Sequence, residues 1–111
     1  RTPGDKLFVV LTAGILIPVL EEFLFRGFLF PLFTRYVGLG WGMAISTFLF
    51  AVAHLEPVPG GWIQNALGLP LFFGLGLLFC WLFQRSGSLL PSIVAHAANN
   101  LLQVLILLHG S

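Results

Sequence analysis

Apolar residues run along this chain in four long stretches, and turn-forming or charged residues separate them. The first stretch covers about Leu7 to Tyr36 and closes at Val37-Gly38-Leu39-Gly40. The second, about Trp41 to His54, closes at Pro57-Val58-Pro59-Gly60-Gly61, and the third, about Trp62 to Gln84, closes at Arg85-Ser86-Gly87. The fourth runs from about Ser88 to His109, with Ser88 suited to an N-cap and Pro91 acceptable in a first turn. Strands that line a membrane barrel alternate apolar and polar positions, and these runs do not. The pattern predicts an all-α, multi-pass transmembrane bundle of about four helices. A helix needs about 20 apolar residues to cross the hydrocarbon core. Stretches three and four have that length, the first exceeds it, and the second falls short. The first helix is expected to tilt, kink near Pro18 or protrude, and Gly68 with Pro70 to break the early part of the third.

Composition strengthens the membrane reading. The 111 residues are 58% hydrophobic and only 8% charged, with a mean hydropathy of +1.00. Soluble domains carry roughly 25% charged residues, enough to cover their surface. A net charge of +1 supplies no basic field, which excludes nucleic acid as a partner and leaves membrane lipid. The lone Cys80 forms no internal disulfide and lies in an apolar run, as a core thiol would. Arg1 and Lys6 on one side balance Arg35 and Arg85 on the other, so charge assigns no orientation. No secretory leader is expected at the start. Residues 1–111 are read as a single transmembrane domain, with further N-terminal helices expected before Arg1. Trp41, Trp62 and Trp81 suit interface anchoring, and Gly74 and Gly76 suit close helix packing.

Against this apolar background the polar residues inside the helices are informative, because a charge at mid-membrane costs about 2.5–3.5 kcal/mol on insertion scales. Glu21, Glu22 and Arg26 all lie in the first helix. Glu22 and Arg26 are four residues apart and share a face, so they can pair. Glu21 sits about 100° around the helix, so Arg26 cannot serve both acids equally well. His54 ends the second helix after Phe50-Ala51-Val52-Ala53, and in the fourth helix His96 and Asn100 share a face among alanines. Polar groups in lipid turn inward and seek one another, so these sets are expected to converge.

A carboxylate, two imidazoles and an amide can hydrolyse a peptide bond. The acid activates water, one imidazole shares the proton, and the second imidazole with the amide offers donors to an oxyanion. Glu21, His54 and His96 also make a zinc ligand set. Other intramembrane chemistries lack their residues. No His-Glu-x-x-His or Gly-x-Ser-Gly occurs, and Asp5 is the only aspartate. A proton pathway would need a row of polar groups through the bilayer rather than one cluster. A non-enzymatic membrane protein, an immunity factor or scaffold, would keep the same cluster for packing.

Glu21-Glu22-x-x-x-Arg26, Phe50-x-x-x-His54 and His96-x-x-x-Asn100, each on its own helix and in this order, resemble the three motifs of the CAAX protease and bacteriocin-processing (CPBP) family. The likeness to type II CAAX prenyl endopeptidases covers roughly residues 15 to 105. It implies an endopeptidase in the membrane, with a prokaryotic cell membrane as the expected location and a peptide or prenylated protein as substrate. Carried across, Glu21 is the water-activating base and His54 its partner. His96 and Asn100 stabilise the oxyanion, and Glu22 and Arg26 orient the site. No metal cofactor is favoured; zinc, if bound, takes Glu21, His54 and His96.

Overall fold

The first helix starts from a closed cap. Asp5 N–H donates to Thr2 Oγ1 at 3.1 Å, and Thr2 N–H donates back to the Asp5 carboxylate at 3.2 Å, with Pro3 in the first turn. A computed structural model of the protein describes residues 2–55 and 61–109. The Pro57–Gly60 closure of the second stretch lies outside them. Four helices are present among the described residues: α1 Pro3–Val37, α2 Leu39–Ala53, α3 Trp62–Ser86 and α4 Leu90–His109. The protein is an all-α multi-pass transmembrane bundle. Helices α1, α3 and α4 are long and apolar enough to cross a membrane, while α2 is shorter.

Proline shapes α1 in a way the sequence pattern understated. Its ring crowds the carbonyl four residues back, and it has no N–H to offer. The helix widens into π turns at Thr12–Leu16 and Phe25–Leu29, closed by Ile17 N–H on the Thr12 carbonyl and Phe30 N–H on the Phe25 carbonyl. Pro18 and Pro31 each follow directly. The kink expected at Pro18 is thus a local change of register within one continuous helix. In α3 the expectation fails outright, because Gly68 and Pro70 do not break the helix. Unwinding there would strand several backbone groups in lipid, whereas an intact helix loses the one bond Pro70 cannot make.

Two glycines turn the chain. Gly38, at φ +89°, is the single residue between α1 and α2; Gly87, at φ +70°, caps α3 and donates its N–H to the Phe83 carbonyl at 2.9 Å. Ser88 Oγ then accepts the Leu90 N–H at 3.1 Å, and α4 begins at Leu90. The N-terminal half of α1 packs on α4 and its C-terminal half on α2, while α3 bridges α2 and α4. The resulting slab measures 47 × 33 × 16 Å, thin enough that most side chains reach an outer face. Those faces are apolar, with Leu20, Phe28, Leu67, Leu71 and Ile106 exposed, together with Trp41, Trp62 and Trp81. Such a surface suits lipid.

Cys80 is buried as expected, 3.5 Å from Thr47 Oγ1. Close approach depends on particular glycines. A Cβ on Gly42 would lie 2.7 Å from Thr34 Cα, whereas a Cβ on Gly74 would meet nothing within 4 Å. Gly74 therefore does not serve the packing role its position suggested; Gly76 does. Gly42→Ala should destabilise the protein by about 1–3 kcal/mol through overpacking. Gly74→Ala should cost nothing and can stabilise by up to about 1 kcal/mol through helix propensity. Reversible unfolding of the two variants in detergent, compared with the parent, checks both.

Candidate active site

The buried centre of the bundle is a charge held among phenyl rings. Phe25, Phe50 and Phe79 pack edge to face, with ring centroids 5.3 Å apart for Phe25–Phe50 and 6.0 Å for Phe50–Phe79. The Arg26 guanidinium carbon lies 4.3 Å from the Phe50 ring centroid, 5.2 Å from that of Phe79 and 5.9 Å from that of Phe25. Glu22 neutralises this cation along the same helix face, at 3.0 Å from Arg26 Nη1. Arg26 Nη2 donates to the Gly76 carbonyl of α3 at 3.1 Å. The side chains of Glu22 and Arg26 are 0% and 1% exposed, so the pair is wholly removed from solvent.

Glu22 has a second partner. His96 Nδ1 lies 2.6 Å from the same Oε2 that Arg26 bonds. An oxygen already accepting from guanidinium is a carboxylate acceptor, so His96 Nδ1–H donates and its Nε2 is turned the other way. There it meets Glu21 Oε1 at 3.5 Å. His54 arrives in the same sense from α2. Its Nδ1 lies 2.7 Å from the Phe50 carbonyl, which can only accept, and its Nε2 lies 3.3 Å from Glu21 Oε2. One carboxylate thus faces the Nε2 atoms of two imidazoles whose other nitrogens are committed.

The two adjacent acids are therefore separated by environment. Glu22 is sealed and serves as a structural anion, whereas Glu21 is 24% exposed and His54 20% exposed. Glu21 Oε1 is buried and has no hydrogen-bond partner among the described residues. It faces His96 at a separation too long for a good hydrogen bond. Asn100 directs its amide to α1. It lies one turn beyond His96 on α4 and donates its side-chain amide to the Ala13 carbonyl at 3.3 Å. That carbonyl lies in the first π turn, where the residue five positions on is Pro18 and has no N–H to give. The amide satisfies it.

The six polar residues singled out from the sequence thus fall into three groups. Glu21, His54 and His96 converge; Glu22 and Arg26 pair behind them and hold His96; Asn100 ties α4 to α1. Sequence reasoning did not foresee the Glu22–His96 bond, since only the fold brings residues 74 apart in the chain together. It also left unread two stacked rings of α3, Phe72 on His54 and Phe79 on His96.

With this geometry established, comparison with known proteins places the chain. The family model for type II CAAX prenyl endopeptidase Rce1-like proteins matches residues 3–102. The chain belongs to the Rce1-like family. An Escherichia coli protein named "Uncharacterized 24.3 kDa protein" is 37% identical to it over 94 residues. The shared region covers 83% of this Rce1-like chain and 41% of the Escherichia coli protein, so the chain spans less than half of that relative's length. No solved structure matches.

A metal ion is one group this Rce1-like cluster can hold. Glu21, His54 and His96 each offer one ligand atom, all within 4.8 Å of one another. The donor set fits zinc, for which two imidazoles and a carboxylate suffice. Each ring also donates its remaining N–H to a carboxylate or backbone carbonyl, as ligating histidines usually do.

Glu22→Gln leaves Arg26 buried without its counter-charge and should cost about 3–5 kcal/mol of stability. Glu21→Gln disturbs only a half-exposed group and should stay within about 1 kcal/mol of the parent. Equal losses in the two variants, measured by unfolding in detergent, would contradict this division of roles.

Proposed function

We propose that this protein is an intramembrane endopeptidase that cleaves a peptide bond with water activated by Glu21, with prenylated CaaX-type proteins as the substrate class. The observation that carries the reading is the facing of Glu21 by the Nε2 atoms of His54 and His96 at 3.3 and 3.5 Å. Membership in the Rce1-like family supports the substrate class.

Glu21 takes a proton from water, and the hydroxide oxygen bonds the scissile carbonyl carbon. The carbon–nitrogen bond then breaks, and the proton held between Glu21 and His54 passes to the departing amine. His54 suits this exchange because its Nδ1 is fixed on Phe50 and only Nε2 is left to receive or return a proton. His96, with Nδ1 held on Glu22, faces the same space with its Nε2 and is assigned to the oxyanion side of the site. Asn100 carries two amide protons. One is used on Ala13, and the other is left for the oxyanion.

A second reading rests on the ring orientations. Because both histidines commit Nδ1 and present Nε2 to Glu21, the same residues would hold zinc, which lowers the pKa of a bound water and polarises a carbonyl. Chelation separates the two readings.

Assay of the purified full-length protein on a farnesylated CaaX peptide should show turnover that survives a chelator and disappears in Glu21→Gln. Asn100→Ala should lower kcat by about 10²–10³ if it is one oxyanion donor. Loss on chelation with recovery on added zinc would favour the metal reading. An inert wild-type protein whose biological phenotype persists in Glu21→Gln would replace both with an immunity factor or scaffold.

A further inference from the structure

Helix α3 brings no ionisable side chain to the cluster, yet three of its residues touch His54, His96 and Arg26. Phe72, Gly76 and Phe79 are spaced four and three apart, which puts them on one face. The Phe72 ring stacks on His54, with centroids 4.9 Å apart and planes 29° from parallel. The Phe79 ring stacks on His96 at 4.8 Å and 19°. Between them the Gly76 carbonyl accepts from Arg26, and its bare Cα lets the helices close. A Cβ there would lie 2.8 Å from Thr47 Cγ2, 3.1 Å from Phe50 Cδ2 and 3.3 Å from Arg26 Nη2.

We propose that the Phe72–Gly76–Phe79 stripe is the positioning element of the site, fixing the planes of both imidazoles so that each Nε2 points at Glu21. The proposal rests on the hydrolytic reading given above for its effect on rate, and on geometry alone for its effect on the rings. A histidine ring turns about a broad, weakly restrained χ2 torsion. The Nδ1 hydrogen bonds to the Phe50 carbonyl and to Glu22 fix one point of each ring. A χ2 turn that stretches either hydrogen bond swings Nε2 away from the carboxylate, and a flat ring against the imidazole face resists that turn. The two constraints together leave one orientation. Misplacement by about 1 Å can cost two orders of magnitude in rate.

Phe72 and Phe79 are positioning residues, since neither offers a group to reacting atoms. Leucine removes the flat face while keeping an apolar side chain. Phe72 is half-buried, so tyrosine can keep the stack there and send its hydroxyl outward.

The test uses the full-length protein in nanodiscs, with ¹⁵N-labelled histidine and the farnesylated CaaX peptide as probe. Phe72→Leu and Phe79→Leu should lower kcat about 10- to 100-fold with KM little changed, and Phe72→Tyr should restore it. The ring ¹⁵N signals should shift or broaden for His54 alone in Phe72→Leu and for His96 alone in Phe79→Leu. Leucine variants with parental kcat and unmoved ¹⁵N signals would overturn the stripe. If the parent cleaves nothing, the hydrolytic reading fails by itself. The histidine spectra then decide: residue-specific changes uphold the positioning role, and unchanged spectra refute it.

Discussion

A single carboxylate oxygen, Glu22 Oε2, accepts from the Arg26 guanidinium of its own helix and from the His96 imidazole of α4. The rest of the structure depends on that pair of hydrogen bonds. An arginine in the middle of an apolar bundle is tolerable only with its charge answered and its face covered. Glu22 does the first, and the Phe25, Phe50 and Phe79 rings do the second. Answering the charge from α1 fixes Arg26, and sharing the same oxygen with His96 pulls α4 against α1. The Nε2 atom of His96 is then aimed at Glu21 as a consequence of packing. A structural ion pair of this kind can make a site without touching a substrate.

Neighbouring acids with identical chemistry thus have different work. Glu21 and Glu22 differ by about 100° of helix rotation, which carries one into the sealed core and leaves the other at the edge of it. His96 stands between them, and His54 reaches Glu21 from the Phe50 carbonyl. The arrangement keeps the ionised pair dry and gives the half-exposed acid two nitrogen neighbours and one unbonded oxygen. The apolar exterior of Leu20, Phe28, Leu67 and Leu71 surrounds this polar centre with surface suited to lipid.

Much of the fold was legible because hydrophobic length and turn residues are local. Four apolar stretches gave four helices, and Gly38 and Gly87 turn where the pattern closed. Among the prolines, Pro70 misled. Pro18 and Pro31 sit behind π turns, and Pro70 lies inside an unbroken helix, because a membrane penalises unwinding more than one missing bond. In the site, the Glu22–Arg26 pair follows from i, i+4 spacing alone. The meeting of Glu21 with His54 and His96 followed from the rule that polar groups in lipid find each other. What spacing could not give was which imidazole goes to which acid. Nor could it show that Asn100 answers a carbonyl left open by Pro18, although that proline is visible in the chain. The stacking of Phe72 and Phe79 was hidden for a different reason: in so apolar a helix no phenylalanine stands out.

Glu22 and His96 join α1 to α4, and the geometry at Glu21 rests on that joint. A double-mutant cycle on unfolding free energy, with Glu22→Gln and His96→Gln made singly and together, measures that joint directly. Shared hydrogen bonding to a buried charge calls for a coupling of about 0.5–3 kcal/mol, whereas residues that do not touch add to within about 0.3–0.5 kcal/mol. A coupling within that range is the expected result. Simple additivity of the two substitutions would contradict it.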